Sequence, residues 1–295
     1  MKKILITGAT GKQGSAAVYE LLRNNFKVFA LTRNPQSSKA VNLENAGAIL
    51  VKGDLEDIEG LREIFKNVDG LYLVLPPVWV SSKETDEKEA EVGIQTIKLA
   101  KEEGVKFVLY SSVLGSDKQD LFRPKFKYTI EKYLLKSGLQ GAVIRPASFM
   151  ENLFLPSFGL ADGKFINPLP EEKAISWIST NDIGTFARII FQNYKEFNGK
   201  TVDFGGDLYT PKQVLQLLEE KLNLSINFIQ VPLKTLYEQS ETFAKLVEMV
   251  DKEGYDPIDY KFISSWMPKQ MGFEQWLDDI GIKEIRALRA IATKS

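Results

Sequence analysis

Short apolar segments alternate with amphipathic segments of helical length over the first 146 residues. Two of the latter, Ser15–Asn24 and Glu84–Glu103, carry apolar residues at helical spacing. Strands joined by helical crossovers make a parallel sheet covered on both faces, so the alternation predicts a doubly wound α/β fold. The apolar segments, rich in Val, Ile, Leu and Phe, each predict a buried strand: Lys3–Thr7, Lys27–Leu31, Ala48–Val51, Gly70–Leu75, Lys106–Tyr110 and Gly141–Ile144.

Composition excludes several kinds of chemistry. The chain has no Cys and no His, which removes disulfides, thiolate nucleophiles, imidazole bases and the common zinc sites. Lys and Arg number 38 against 39 Asp and Glu, so no net positive field favours nucleic acid or an anionic membrane surface. The chain starts directly in a strand pattern, and no apolar run approaches the roughly 18 residues that span a bilayer. We therefore expect a cytoplasmic protein.

A glycine-rich turn joins the first predicted strand to the first helix. Its three glycines are spaced three residues apart, and such glycines permit a tight bend and close approach of the backbone to a pyrophosphate. The helix N-terminus adds N–H donors for the anion. A turn of this kind could also exist without a ligand, but the surrounding strand and helix favour a dinucleotide site. Its predicted residues are Gly8, Thr10, Gly11, Lys12, Gln13 and Gly14.

The ends of the next strands indicate which dinucleotide binds. Arg33 stands after the second strand, where an NAD-specific site has an acid, and a guanidinium can pair with a 2′-phosphate. We therefore expect NADP(H), with NAD(H) possible, although Arg33 could also be a solvated surface residue. Asp54 and Leu55 follow the third strand near the expected adenine position, and Asp54 could instead cap the next helix. Leu75 and Pro76 end the fourth strand and would form a wall against the cofactor.

The pattern after residue 150 indicates a second lobe. Gly and Pro interrupt the chain there, and a helix at Asp182–Asn193 and a strand at Lys200–Phe204 then resemble returns to the core sheet. Helices are also predicted from Pro211 to about Leu222, at Leu233–Glu253 and at Phe273–Ile280. We predict an NADP-binding Rossmann domain over 1–150, with about 176–205 returning to it, and a smaller α/β lobe over 151–175 and 206–295.

Recognisable motifs lie along nearly the whole chain. They are the Gly8–Gly14 loop, Thr32-Arg33-Asn34-Pro35, Lys127 through Glu131, Ser137-Gly138-Leu139, Arg145-Pro146, Phe149 through Leu153, Trp177 through Asp182 and Phe273 through Leu277. Together they resemble the motifs of the NmrA-like branch of the atypical short-chain dehydrogenases/reductases. The resemblance implies an extended Rossmann domain with a small C-terminal lobe. It also implies one of two activities, since some members are NADPH-dependent reductases of quinones, triarylmethane dyes or phenylpropanoids and others bind NADP(H) without turnover and regulate proteins.

Two candidate lysines compete for the catalytic position. Hydride-transferring enzymes of the wider superfamily place a Tyr four residues before a Lys, and Tyr128 and Lys132 have this spacing. The neighbouring motifs resemble the NmrA-like group only if Lys127 is the functional lysine, which puts Arg123 in the place of the tyrosine. A shift of one residue turns a helical side chain by about 100°, so both pairs cannot face the cofactor. We predict that Lys127 orients the nicotinamide ribose and that Tyr128 and Lys132 face solvent, with Lys132 beside Glu131 on a charged face.

Residues after the fourth, fifth and sixth strands are candidates for the rest of the site. Asn152 offers the nicotinamide carboxamide a donor and an acceptor, and Phe149 is placed with it at the cofactor. The hydroxyls of Ser111 and Ser112 could reach the substrate carbonyl or cap a loop, and Trp79 could cover the cofactor. An apolar, aromatic pocket for a planar ligand is predicted, although the same phenylalanines, with Phe165, could be core. The predicted pocket residues are Trp79, Ser112, Phe149, Met150, Phe154 and Phe158.

These observations favour an oxidoreductase without excluding a regulator. Without Tyr or His beside the cofactor, ketone reduction lacks its proton donor, whereas a quinone-like or conjugated aromatic acceptor yields a delocalised anion that collects a proton from water. The first hypothesis is therefore an NADPH-dependent reductase of such a small molecule. The second is a non-catalytic NADP(H) sensor that acts on a regulatory protein partner. A tyrosine-dependent dehydrogenase or nucleotide-sugar epimerase using Tyr128 is the third. We expect neither direct nucleic-acid binding nor membrane binding.

Overall fold

The predicted strands and helices recur in the computed structural model, which describes residues 1–75, 83–118, 125–254 and 257–292. Seven of the described strands form a central parallel sheet in the order β10-β6-β5-β4-β1-β2-β3. The described strands are β1 (Lys3–Ile6), β2 (Lys27–Thr32), β3 (Ile49–Lys52), β4 (Gly70–Val74), β5 (Phe107–Ser111), β6 (Gly141–Pro146), β7 (Ser148–Phe149), β8 (Lys164–Asn167), β9 (Ile175–Ile178), β10 (Thr201–Phe204), β11 (Leu208–Tyr209) and β12 (Asn227–Gln230).

Helices follow most strands of the central sheet. Short 3₁₀ turns also occur at Glu59–Leu61, Met150–Phe154, Pro156–Phe158 and Leu160–Asp162. The described α-helices are α1 (Lys12–Arg23), α2 (Ser38–Asn45), α3 (Arg62–Phe65), α4 (Lys83–Glu102), α5 (Lys125–Lys136), α6 (Thr180–Gln192), α7 (Tyr194–Phe197), α8 (Pro211–Leu222), α9 (Leu233–Gln239), α10 (Glu241–Lys252), α11 (Tyr260–Trp266), α12 (Phe273–Trp276) and α13 (Ile282–Ala292). None of these helices combines the length and apolar composition that a membrane crossing requires.

The strand order confirms the predicted doubly wound fold. The chain proceeds outward from β1 to β2 and β3 on one side and from β4 to β5 and β6 on the other. Ligands of such sheets bind beyond the carboxyl ends of the strands where the order reverses, here between β1 and β4. Thr7 joins these two strand ends, because its Oγ1 donates to the Val74 carbonyl (2.7 Å) and accepts from the Val74 N–H (2.8 Å).

The central sheet has an apolar core on each face. On one face, Tyr110 and Leu73 pack with buried residues of α4 and α5, including Ile97 and Ile130. Aromatic side chains of β4, β5 and α6 meet on the other face, and Phe191 contacts both Tyr72 and Phe107 edge to face. Helices α1 and α6 approach closely at a glycine, since a Cβ on Gly184 would lie 2.7 Å from the Ala16 carbonyl. Because helices cover both faces, the candidate ligand positions lie along the carboxyl edge.

The described residues fall into two compact units. The first comprises residues 1–75, 83–118, 125–146 and 180–203 and contains the central sheet. The second comprises 147–179, 204–254 and 257–292. It is mainly helical and has a three-stranded sheet in the order β11-β9-β7 and a parallel pair of β12 and β8. Helix α8 begins as the sequence predicts, with a reciprocal capping box between Thr210 and Gln213.

Two helix predictions in the second unit require correction. The predicted helix Leu233–Glu253 is two helices, α9 and α10, because Ser240 is extended and its Oγ accepts the Phe243 N–H (3.2 Å) as an N-cap. The predicted helix Phe273–Ile280 does not end before Gly281. It continues through a π-turn at Leu277–Gly281 into α13, where the missing Cβ of Gly281 makes room for the Trp276 ring.

Candidate functional site

The glycine loop follows β1 at the switch point of the first unit. Gly8 adopts a left-handed φ of 57°, and a Cβ there would lie 3.1 Å from Val74 Cγ1. A Cβ on Gly14 would lie 2.2 Å from the Gly8 carbonyl oxygen, a distance that no side chain allows. Glycine at these two positions therefore lets the start of α1 pack directly against the end of β1.

The N-terminus of α1 has neither a side-chain cap nor an acidic residue in its first turn. Gly11 is the N-cap residue of the helix. The Ser15 N–H bonds the Gly11 carbonyl at 2.9 Å, so this helical hydrogen bond starts one turn into the helix. Helix N–H groups of a first turn point out of the helix end, where the helix dipole is also positive. Gly11 is exposed, and Thr10 and Lys12 are half-buried.

Gln13 is held by side chains from two strands of the central sheet. Its Oε1 accepts hydrogen bonds from the Ser111 hydroxyl (2.8 Å) and from the Tyr72 hydroxyl (3.4 Å). Tyr72 is fully buried, and burial raises its pKa, so its hydroxyl remains a neutral donor. The Ser111 hydroxyl thus donates to a side chain in the first turn of α1.

The other predicted cofactor residues of the first unit end their strands as expected. Arg33 is exposed at the end of β2 and forms no ion pair with a described residue. The Asp54 carboxylate accepts the Glu56 N–H (3.2 Å) in a local turn, so it does not cap a helix. Leu55 and Leu75 both pack against the apolar core of the first unit. Pro76, Trp79 and Arg123 lie outside the described residues.

Lys127 forms a buried ion pair with an acid that the sequence analysis did not select. Its Nζ lies 2.5 Å from Glu89 Oε1, and the side chains of Lys127 and Glu89 are only 5% and 12% exposed. The pair joins α4 to the first turn of α5, and the Phe126 ring lies 5.4 Å from the same ammonium. Burial raises the pKa of the Glu89 carboxyl, and the charge of Lys127 opposes that shift.

Two buried hydroxyls on β5 and just after it lack hydrogen-bond partners. Neither the Tyr110 hydroxyl nor the Ser112 Oγ forms a hydrogen bond of normal geometry with a described residue, although the two hydroxyls lie near each other. Tyr110 is fully buried, and burial together with the charges of Glu89 and Glu131 raises its pKa well above the usual value. Ser112 is 9% exposed and follows the carboxyl end of β5. A buried hydroxyl without a partner is costly, so Ser112 is suited to bond a ligand.

Arg145, near the end of β6, lies in a separate charge cluster of the first unit. Glu131 grips its guanidinium at 2.7 Å, Asp117 lies 2.7 Å away and Asp203 lies 3.5 Å away. The Ser116 hydroxyl donates to Glu131 (2.5 Å). Glu131 is only 1% exposed. The prediction that Glu131 and Lys132 share a charged face is therefore wrong for Glu131. Its burial follows from the ion pair with Arg145.

Tyr128 and Lys132 lie apart from this cluster. Lys132 is exposed and Tyr128 is half-buried, and the Lys132 ammonium lies 4.6 Å from the centre of the Tyr128 ring. This contact is between a cation and a ring face and does not use the phenol hydroxyl. On the same helix Lys127 is 4% exposed, so the two candidate lysines differ in burial.

The remaining predicted residues belong to the second unit. Asn152 is buried, Phe149 is half-buried and Met150 is fully buried. The predicted aromatic group separates into two contacts, with Phe154 stacked on Trp276 (5.3 Å) and Phe158 on Phe165 (6.3 Å). Phe165 is fully buried, as expected of a core residue, whereas Phe149, Phe154 and Phe158 keep part of their surface. A substrate pocket at these residues stays a prediction.

The family model for the NmrA-like family matches residues 1–277, nearly the whole chain. An NmrA-like family domain-containing protein of Dictyostelium discoideum is 31% identical over 257 residues, covering 77% of this chain and 80% of that protein. The chain belongs to the NmrA-like family. Quinone oxidoreductase 2 of Escherichia coli is 30% identical to this NmrA-like chain over 207 residues, covering 69% of it and 68% of that enzyme. The solved structure of NmrA, a negative transcriptional regulator in complex with NADP, has the same fold, with a TM-score of 0.76 at 18% identity over 97% of each chain.

Glu89, the ion-pair partner of Lys127, was not among the residues predicted from the sequence. A signal for it exists, because Glu89 precedes Gly93 by four residues and Thr96 and Ile97 by seven and eight. Those three residues belong to the buried stripe of α4, so Glu89 is an acid at helical spacing on a buried face. A carboxylate at such a position is buried only when it has a charged partner. The pairing of Gln13 with Ser111 has no comparable local signal.

Proposed function

We propose that this chain is an NADPH-dependent reductase of a quinone-like or other conjugated aromatic small molecule. The observation that carries the proposal is the glycine loop at the switch point, where α1 begins without a cap or an acid in its first turn. The relative named quinone oxidoreductase 2, at 30% identity, supports the class of acceptor.

The residues of the loop fit a dinucleotide. The glycines at positions 8, 11 and 14 leave the backbone uncovered beside the N-terminus of α1, which suits a pyrophosphate. Arg33 has a free guanidinium toward the described residues, and a guanidinium pairs well with a 2′-phosphate. NADPH is therefore the expected cofactor, with NADH possible. Asp54, Leu55 and Leu75 would surround it from neighbouring strand ends.

The protein's part in the reaction is positioning. NADPH, when bound, supplies the hydride, and the side chains supply orientation and hydrogen bonds. Lys127 would donate to the nicotinamide ribose from a fixed position, because Glu89 holds its ammonium. The Ser112 hydroxyl would donate to a carbonyl oxygen of the acceptor. A reduced quinone carries delocalised charge and collects its proton from water, so the fully buried Tyr110 is not needed as an acid.

The test measures binding and turnover of NADPH in the same preparation. Calorimetric titration gives its dissociation constant, and the decrease of NADPH absorbance follows oxidation by a panel of quinones, enones and triarylmethane dyes. We expect turnover of at least one quinone. In Lys127→Met, kcat/KM for that quinone should fall about 100-fold, equivalent to about 2.7 kcal/mol of transition-state stabilisation.

Lys136→Met is the matched control for this substitution. Lys136 is exposed at the other end of α5, so its loss removes the same charge from the same helix without touching the site. The control should turn over quinone at the wild-type rate. Tight NADPH binding with no oxidation by any acceptor would contradict the reductase, and absence of NADPH binding would contradict the cofactor as well.

A second function, a non-catalytic NADP(H)-binding regulator with a protein partner, has one specific observation in its favour. Lys127 pairs with Glu89, and Tyr110, a phenol whose pKa the charge of Glu89 helps to raise, is fully buried. The structural likeness to NmrA, whose activity is transcriptional regulation, accords with this alternative. NADPH binding without turnover is the outcome that it predicts.

A further inference from the structure

We propose that Glu89 is a positioning residue for Lys127: it fixes the lysine ammonium where NADPH needs it and acts on cofactor binding only through that lysine. The inference rests on the proposed function, because it assumes that Lys127 donates to the bound cofactor. Glu89 itself need not touch NADPH.

The position of Lys127 on its helix creates the need for a nearby anion. Lys127 is the third residue of α5, and the first turn of α5 contains no acidic residue. A cation at a helix N-terminus is disfavoured by the helix dipole, and burial of the ammonium adds a desolvation cost. Glu89 supplies the opposing charge from α4, at 2.5 Å. The carboxylate thus offsets part of the cost of a charged lysine at this place.

Stability alone is a poor explanation for this pair. Glu89 lies on the buried stripe of α4 that continues with Gly93 and Ile97, where an apolar residue would fit the pattern. Replacing a buried ion pair by apolar residues of similar volume is often neutral or stabilising. The benefit of the pair is therefore a defined position for the ammonium. An ammonium carries three donors, so bonding to Glu89 does not by itself exhaust them.

The surroundings of the pair separate its role from acid–base chemistry. The Tyr110 hydroxyl is fully buried without a hydrogen-bond partner in the described residues, and the negative charge of Glu89 helps to raise its pKa. The Tyr110 phenol therefore stays protonated and does not act as a base toward the Lys127 ammonium. The Phe126 ring, 5.4 Å from the ammonium, borders the lysine with an aromatic surface. Glu89 and the apolar wall together restrict where the ammonium can go.

The test is a double-mutant cycle on NADPH affinity with wild type, Glu89→Gln, Lys127→Met and the double variant. Glu89→Gln should weaken NADPH binding about tenfold, and Lys127→Met at least as much. The double variant should bind no more weakly than Lys127→Met alone, because residues that act as one unit are not additive. Glu89→Asp keeps the charge at a shorter reach and should bind NADPH with an affinity between wild type and Glu89→Gln.

Thermal unfolding of each variant separates positioning from folding. Glu91→Gln, which removes an exposed charge two residues further along α4, should bind NADPH as the wild type does. If Glu89→Gln does not fold, Glu89→Asp and the double variant Glu89→Met with Lys127→Met replace it, since the apolar pair leaves no unpaired charge. The double variant then should still match Lys127→Met in affinity.

Two results would overturn the role of Glu89 while leaving the proposed function intact. One is wild-type NADPH affinity in folded Glu89→Gln while Lys127→Met is weakened. The other is multiplication of the two losses in the double variant, which would mean that Glu89 acts on the cofactor independently of Lys127. If the wild-type chain bound no NADPH, the proposed function itself would fail, and the role of Glu89 with it.

Discussion

Lys127 and Arg145 are the basic residues that the described part of the chain buries most fully, and they are paired in different ways. Arg145 is surrounded by the carboxylates of Glu131, Asp117 and Asp203. Lys127 meets Glu89 on one side and the ring of Phe126 nearby. A guanidinium bonded by several acids has few donors left for a ligand. Arg145 is therefore committed to this cluster of carboxylates, whereas Lys127 is the cation for which we propose a role in cofactor binding.

The ion pair of Arg145 also accounts for part of the sequence motif on which the choice of Lys127 rested. The sequence resemblance included both the Lys127-to-Glu131 segment and Arg145, and it favoured Lys127 as the functional lysine. In the fold, Glu131 and Arg145 bind each other within the first unit. The part of the motif that spans these two residues thus describes a structural ion pair. It links α5 to β6 through the contact of Glu131 with Arg145.

The largest expected effect is on the free energy of unfolding and concerns Arg145. Arg145→Met would leave the buried Glu131, and with it Asp117 and Asp203, without their cation. We expect unfolding free energy to fall by about 3–5 kcal/mol, the cost of breaking a buried pair on one side. Urea unfolding followed by circular dichroism measures this change. Lys127→Met should lose less, because burial already raises the pKa of the Glu89 carboxyl and lets it take a proton.

Arg145→Lys is the control for the loss of charge. Lysine keeps the charge but has a single ammonium in place of the planar fork that Glu131 grips, so its stability should lie between those of wild type and Arg145→Met. Equal urea midpoints for Arg145→Met and wild type would mean that Arg145 is not a structural cation and does not differ from Lys127 in this respect.

A smaller effect sharpens the contrast within the Arg145 cluster. Burial raises the pKa of the Asp203 carboxyl; Arg145 opposes the shift, and the charges of Asp117 and Glu131 add to it. A raised folded pKa favours the protonated form, so this stabilisation is fully present below the unfolded pKa and is lost as pH rises through the folded pKa. At pH about 7, Asp203→Asn should therefore be more stable than wild type, by on the order of 1 kcal/mol.

The gain of Asp203→Asn should shrink as the pH falls toward 4, where an ordinary aspartic acid is about half protonated. Urea unfolding at the two pH values measures it. Asp117→Asn is the matched control, since it removes a carboxylate that is more exposed and lies nearer to Arg145 (2.7 Å against 3.5 Å). It should not stabilise the protein at neutral pH. A stability difference between Asp203→Asn and wild type that does not change with pH would contradict a raised pKa of Asp203.

Local periodicity was sufficient for most of the first unit. The strands before residue 146 and the glycine loop follow from patterns of a few residues, so the doubly wound sheet could be predicted. The same reasoning joined α9 and α10 into one helix, because the apolar spacing continues across Ser240. What ends α9 there is an extended backbone and a serine hydroxyl used as a cap, and neither alters the apolar pattern.

The site was predictable only in its local part. The loop glycines act through backbone geometry that the spacing itself encodes, and Arg33 is identified by its place after a strand. The contacts of Lys127 with Glu89 and of Gln13 with Ser111 join residues 38 and 98 positions apart. Such pairs depend on how helices and strands pack, which a single sequence does not specify. The acid on the apolar stripe of α4 was the one available hint.

The smallest expected effect concerns Tyr128 and tests whether Lys127 or Lys132 is the functional lysine. Tyr128→Phe removes the phenol hydroxyl that a tyrosine-dependent dehydrogenase or epimerase would use, and keeps the ring that lies under the Lys132 ammonium at 4.6 Å. Because that contact is with the ring face, unfolding free energy should change by less than about 0.5 kcal/mol. The rate of quinone-dependent NADPH oxidation should also stay at the wild-type value. A collapse of turnover with unchanged stability would instead assign the chemistry to Tyr128 and Lys132, and the buried Lys127 would then belong with Arg145 as a structural cation.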